Sequence, residues 1–323
     1  MTLSTPLTDL LDIRHPVLLA PMDVVAGGAL AAAVSAAGGL GLIGGGYGDA
    51  AWIEKEFKAA GNQKVGVGFI TWSMARKPEL LDLALTHGPR AVMLSFGDPA
   101  PFAARVRDAG ATLICQVQTV ADAETAAEAG ADVIVAQGTE GGGHGMDRAT
   151  FTLVPAVVDA VSPLPVVAAG GVADGRGLAA ALMLGAAGVL IGTRFYASEE
   201  AIGHADAKAR IVAASGDATV RGKVFDMVRA TEWPERFTGR VLRNDFAARW
   251  HGREAALADA LAAEQELYGK ATEANDFDTA AVIAGEAAGL IHDTPAAGVL
   301  VERIVQDAVD LLVGAPGKLV RLS

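Results

Sequence analysis

Cysteine is almost absent from this chain of 323 residues: Cys115 stands alone. No disulfide can form within the chain, and no cysteine-rich metal site can be built. Aromatic residues are scarce, at 5% of the composition. Basic residues are outnumbered by acidic ones, 26 to 38, for a net charge of −12, and no segment concentrates Lys and Arg. A protein that tracks a phosphate backbone needs such a cluster, so nucleic acid is not an expected partner. No apolar run of about 18 residues escapes interruption by Gly, Pro or a charge, so no membrane span is expected. Met1 to Arg14 is polar and carries Asp9 and Asp12 where a signal peptide would be basic and then apolar, which makes the cytoplasm the expected location. His-x-x-x-His spacing, paired carboxylates and a Ser/His/Asp order are also missing, and no metal site is expected.

What is abundant is Ala, Val, Leu and 39 Gly, within a composition 51% hydrophobic. Short apolar runs recur, each followed by an Ala/Leu-rich amphipathic stretch. The predicted strands are Val17–Ala20, Leu40–Ile43, Val65–Phe69, Ala91–Leu94, Thr112–Gln116, Val133–Ala136, Val166–Ala169 and Gly188–Ile191. Their β-branched and small apolar content suits strands covered on both faces. The stretches between them, such as Ala29–Ala37, Pro99–Ala109 and Arg176–Leu184, predict helices. Gly110, Gly130 and Gly185 fall where three of these should stop. Strict alternation implies a parallel sheet with right-handed crossovers, and eight units in about 200 residues fit a (β/α)8 TIM barrel better than an open sheet. Beyond Ala197 the alternation ends. The expected division is a barrel over 1–222, a small helical subdomain over 223–285, and helices returning to the barrel over 286–323, with Ala280–Ile291 and Val299–Val313 read as helical.

Chemistry in such a barrel belongs at the C-terminal ends of the strands. Gly170-Gly171 after the seventh predicted strand and Gly192-Thr193 after the eighth form the sharpest signal. Loops at these two positions commonly hold a phosphate, because glycine lets the backbone N–H groups approach and Thr193 adds a hydroxyl. His144 follows a glycine-rich loop at the end of the sixth strand, a setting that does not bury it in helical packing. Its ordinary pKa suits proton abstraction at neutral pH. The other five histidines lack this setting and are read as structural or surface residues. Cys115 is read as a small core residue rather than a nucleophile. Glu140 and Asp174 are either ligand contacts or solvated loop carboxylates. Met22 either covers an aromatic ring or packs.

The segments "PVLLAPM", "GGALAAAVSAAGGLGLIGGG", "DVIVAQGTEGGGHG", "PVVAAGGVADGRGLAAALMLGAAGVLIGTRF", "GRVLRN" and "AGEAAGLI" together resemble the nitronate monooxygenase family, formerly the 2-nitropropane dioxygenases. The resemblance implies FMN, with its phosphate at Gly170, Gly171, Gly192 and Thr193. It also implies that Ala20, Pro21 and Met22 border the flavin ring, and that Gly68, Gln116, Gln137, Gly142 and Gly143 lie around the cofactor. His144 matches the family's base, acting on a neutral nitroalkane or receiving the nitronate, with O2 as oxidant and a carbonyl compound and nitrite as products. Gly68 stands where many relatives carry Asn, and Gln116 where some related flavin barrels place Lys. The competing readings are an NAD(P)H-dependent flavin reductase of quinones or enoyl thioesters, a flavin-free sugar-phosphate aldolase or isomerase, and a non-catalytic flavin-binding module. Oligomeric state is open, a homodimer being one option.

Overall fold

The computed structural model describes residues 3–314, so the end of the 286–323 segment lies outside the described residues. Eight parallel strands form the barrel wall: β1 (Val17–Leu19), β2 (Leu42–Gly46), β3 (Gly66–Ile70), β4 (Ala91–Ser95), β5 (Thr112–Val117), β6 (Val133–Gln137), β8 (Val166–Ala169) and β9 (Gly188–Ile191). Between β6 and β8 lies the short strand β7 (Gly143–Gly145), outside the barrel. The hydrogen-bonded order β1-β9-β8-β6-β5-β4-β3-β2 is closed by a parallel bridge from Leu18 to Leu40. This is the predicted (β/α)8 TIM barrel, and every predicted strand is present.

Alternation along each strand separates two apolar layers. Leu18, Met93, Ile114, Val133, Val135 and Val167 fill the interior, while their neighbours Val17, Val92, Leu94, Cys115 and Ile134 pack outward. Helix Pro6–Leu11 closes the N-terminal end: Leu7 and Leu11 are buried in the interior layer, and Arg90 donates to the carbonyls of Leu10 and Leu11. A capping box between Thr5 and Thr8 starts that helix. Gly110, Gly130 and Gly185 have φ of 73°, 92° and 91°, the left-handed geometry expected just past a helix end.

Two expectations need correction, and one strand runs longer than predicted: β2 extends past Ile43 through Gly44-Gly45-Gly46, with a register shift between Gly44 and Gly46. The stretch after Ala201 is not simply helical. It contains β10 (Thr219–Gly222) and β11 (Thr238–Leu242), which with β7 make a three-stranded antiparallel sheet. β11 reads as polar in sequence because its first three residues are only half buried, and only Val241 and Leu242 reach the core. Finally, Ala280–Ile291 is an extended run ending in the 3-10 turn Glu286–Leu290 rather than an α-helix. Its Ala-rich composition suggests a helix, but Gly285 is held against the loop before β7, so the backbone follows tertiary contacts instead. Helix Ala297–Gly314 returns to the barrel and buries Leu300, Val301, Ile304 and Val305 in its outer layer. Among the described residues, no helix is long and apolar enough to cross a membrane.

Candidate active site

A cavity of about 400 Å³ opens at the C-terminal ends of the barrel strands, and all thirteen residues singled out from the sequence line it. Ala20, Pro21 and Met22 follow β1, Gly68 lies within β3, and Gln116 and Gln137 come from β5 and β6. Gly142, Gly143 and His144 approach from the loop and strand beyond β6, Gly170 and Gly171 follow β8, and Gly192 and Thr193 follow β9.

Gly170 and Gly171 both adopt left-handed backbone, with φ of 95° and 76°. A Cβ at Gly170 would stand 3.0 Å from the Gly138 carbonyl and 3.1 Å from the Gly141 nitrogen, so a side chain there is crowded as well as strained by the left-handed backbone. The Thr193 hydroxyl accepts from the Gly285 N–H at 2.9 Å, which leaves its own proton to donate. Gly285 also packs on Gly142, where an added Cβ would meet Gly285 nitrogen at 2.7 Å. The misread segment 280–285 therefore forms one wall of the cup. On the opposite side Gln137 Oε1 accepts from Gln116 Nε2 at 2.9 Å and Gln118 Nε2 at 2.8 Å. Two converging donors orient the Gln137 amide and leave its NH2 group as a donor.

His144 sits in β7 and pairs with Gly239 of β11. The loop leading to it is pinned by arginines of the small sheet. Arg221 donates to the carbonyls of Thr139 at 2.8 Å and Gly141 at 3.1 Å, and Arg240 donates to Thr139 at 2.9 Å. Burial holds the Arg221 guanidinium down to about 10, as befits a cation given over to carbonyls. The expectation that His144 is not buried in helical packing needs correction: its side chain is 9% exposed, with Asp226 of helix Val224–Val228 and Trp233 of the following loop against it. Asp226 places its two oxygens 2.9 and 3.0 Å from His144 Nε2, and Trp233 stacks on the imidazole with centroids 3.4 Å apart. Trp233 Nε1 in turn donates to the Tyr47 hydroxyl at 2.8 Å.

Burial lowers the pKa of His144, and the Asp226 hydrogen bond works against that shift. At neutral pH the imidazole is therefore neutral. A carboxylate on Nε2 selects the tautomer that carries its proton there, leaving the Nδ1 lone pair to accept another.

Of the remaining candidates Glu140 also lines the cavity, whereas Asp174 and Cys115 do not. Glu140 accepts from the N–H and hydroxyl of Thr150 at the start of helix Thr150–Val161. Asp174 caps helix Gly175–Met183, accepting from Arg176 and Gly177. Cys115 is buried on the outer face of β5, its thiol pushed up to about 12 by burial. Among the described residues no group of three His, Cys, Asp or Glu side chains gathers as a metal site, and the cavity wall carries no lysine. Sequence reasoning missed Asp226, Trp233 and Tyr47. Asp226 lies 82 residues from His144 and belongs to no motif spacing.

A TIM barrel that brings an oriented histidine and a glycine cup into one cavity at its strand ends has the layout of an enzyme site of this fold. The nitronate monooxygenase family model matches residues 4–65 and 59–307, and the chain belongs to that family. A nitronate monooxygenase of Metarhizium robertsii is 37% identical over 92% of this chain and 91% of its own. A Mycobacterium tuberculosis protein, (3aS,4S,5R,7aS)-5-hydroxy-7a-methyl-1-oxo-octahydro-1H-indene-4-carboxyl-CoA dehydrogenase, is 34% identical over 96% of this chain and 97% of its own. Among solved structures, FabK from Thermotoga maritima superposes with a TM-score of 0.86 at 33% identity, covering 98% of this chain and 100% of that one.

Proposed function

We propose that this protein is an FMN-dependent nitronate monooxygenase, converting an alkyl nitronate and O2 into a carbonyl compound and nitrite, with His144 as the base when the substrate arrives as a neutral nitroalkane. The observation that carries this reading is the buried imidazole of His144, oriented by Asp226 and lining the same cavity as the glycine cup.

The residues present fit FMN. A left-handed Gly170-Gly171 turn facing Gly192-Thr193 occupies the two strand ends where TIM barrels bind phosphate groups. The cavity volume falls within the range of about 300–1,000 Å³ usual for small-molecule and cofactor sites. Ala20, Pro21 and Met22 would border the ring. Gly68, Gln116 and Gln137 would meet its polar edge, and Gly142 and Gly143 would lie beneath the base. When bound, the flavin supplies the electron acceptor and the centre at which O2 reacts.

The side chains do the rest. With its proton on Nε2, His144 takes the α-proton of a nitroalkane at Nδ1, and the C–H electron pair stays on the substrate as the nitronate. Asp226 stabilises the imidazolium so formed. Trp233, stacked on the ring, keeps water from competing for the base. A nitronate supplied directly bypasses this step and needs only to be positioned.

The test is the visible spectrum of the purified protein, followed by anaerobic addition of ethylnitronate or NADH. Flavin bands that bleach with nitronate and not with NADH support the proposal. A second reading, an NAD(P)H-dependent flavin reductase or dehydrogenase acting on a thioester or quinone, draws on the end-to-end likeness to a carboxyl-CoA dehydrogenase. Bleaching by NADH alone selects it. A protein that shows no flavin bands after FMN is supplied overturns both.

A further inference from the structure

The cavity holds a cation that the protein leaves unanswered. Arg229 ends helix Val224–Val228 and lines the cavity with His144 and Tyr47. It follows Asp226 by three residues, a spacing that puts two side chains on one helix face and normally pairs them. Here Asp226 turns both oxygens to His144 instead. Among the described residues no carboxylate lies within ion-pair distance of the Arg229 guanidinium, and no acceptor bonds to it. The other arginines near the site are occupied: Arg221 and Arg240 by carbonyls of the His144 loop, Arg240 also by Glu286, and Arg194 by Asp293. Asp23 shares the wall but makes no ion pair with Arg229, and burial raises its pKa, which weakens it as a counter-charge.

Tyr47 adds a second donor. Its oxygen already accepts from Trp233 Nε1, so its own proton is free for another acceptor. Around these donors stand Trp72, Phe96, Trp233 and Phe237 in edge-to-face contacts. An aromatic wall lowers the local dielectric and strengthens a charged hydrogen bond made within it. A guanidinium stays charged at any working pH and offers a planar fork of donors. Such a fork matches a planar head with two oxygens, as in a nitronate or a short carboxylate, better than a single hydroxyl or a neutral amide.

We propose that Arg229, with the Tyr47 hydroxyl lining the same cavity, receives the planar two-oxygen anionic head of the substrate and so determines specificity for anions over neutral analogues. The identity of the substrate rests on the nitronate reading, but anion binding itself does not.

The test uses the purified, flavin-loaded protein, with propionate as an unreactive probe and propionamide as its neutral control. Calorimetric titration should show propionate bound and propionamide not. Arg229→Gln should weaken propionate at least about tenfold, the loss expected when a charged hydrogen-bond partner is removed from a half-buried site. Arg229→Lys, which keeps the charge and loses the fork, should recover part of that. In turnover, Arg229→Gln should raise KM for ethylnitronate by a similar factor while leaving KM for neutral nitroethane unchanged. If Arg229→Gln does not fold, Arg229→Lys and Tyr47→Phe carry the same comparison. Wild-type protein that binds propionate no better than propionamide, or variants with unchanged propionate affinity, would overturn the proposal. Arg229-dependent propionate binding without nitronate turnover would keep the receptor and remove the nitronate reading. Nitronate turnover with an Arg229-independent KM would remove the receptor alone.

Discussion

Replacing Asp226 with Asn tests the role of His144 as a base more sharply than removing the histidine. The carboxylate sits 2.9 and 3.0 Å from Nε2, and both side chains are about 10% exposed, so solvent cannot substitute for the lost charge. A hydrogen bond to a charged group in such a place contributes about 1.5–3 kcal/mol. This bond is strongest when the imidazole has become imidazolium, so its loss falls on the proton-transfer step. At about 1.4 kcal/mol per decade the expected fall in kcat/KM is about 10- to 150-fold, with the His144 pKa dropping further once the carboxylate that supports the imidazolium is gone. The assay compares neutral nitroethane, which must lose a proton, with preformed ethylnitronate, which need not. Asp226→Asn should cut kcat/KM on nitroethane by that factor and change it less than about threefold on ethylnitronate. Asn keeps an acceptor for the Nε2 proton, so thermal stability should change little. Equal losses on both substrates, or none on nitroethane, would refute the base assignment.

Burial lowers the His144 pKa below its ordinary 6.5, so the acidic limb of kcat/KM on a neutral nitroalkane should lie below pH 6.5 in a pH-rate profile, and a limb at or above 6.5 would contradict the environment described. The sign for stability runs the same way: below pH 6.5 the unfolded chain binds protons that buried His144 and His15 resist. Stability that is complete above pH 6.5 should therefore decline as pH falls toward the folded values, as melting scans from pH 7 to 5 would show. Gly170→Ala forces a Cβ against the Gly138 carbonyl at 3.0 Å in left-handed backbone, a strain of about 1–2 kcal/mol, and should weaken FMN retention about tenfold in a fluorescence titration. Arg221→Met leaves the Gly141 carbonyl without a donor and the Thr139 carbonyl with only that of Arg240, so denaturant unfolding should show a loss on the order of 1–3 kcal/mol, with turnover reduced as the His144 loop loosens.

The barrel was legible because its signals are local. Most strands are short apolar runs rich in β-branched residues, most crossover helices end at or just before a glycine, and the glycine cup is two short turns at strand ends the fold specifies in advance. His144 was legible for the same reason, since its loop continues directly from a strand. Asp226, Trp233, Tyr47 and Arg229 were not, because what unites them is tertiary. Helix Val224–Val228 is five residues long, too short to declare itself by periodicity, and it reaches the histidine only because β10 and β11 fold back on β7. The run from Ala280 shows the opposite failure: its composition favours a helix, and the contact of Gly285 with Gly142 overrides it.

Antiparallel pairing of β7 with β11 divides responsibility within the molecule. The glycine turns after β8 and β9 are walled by the barrel and by segment 280–285, whereas the aim of His144 and the company it keeps are set largely by residues 219–243. Mutations in that short stretch can redirect the histidine or change its neighbours without disturbing the turns that would grip a phosphate.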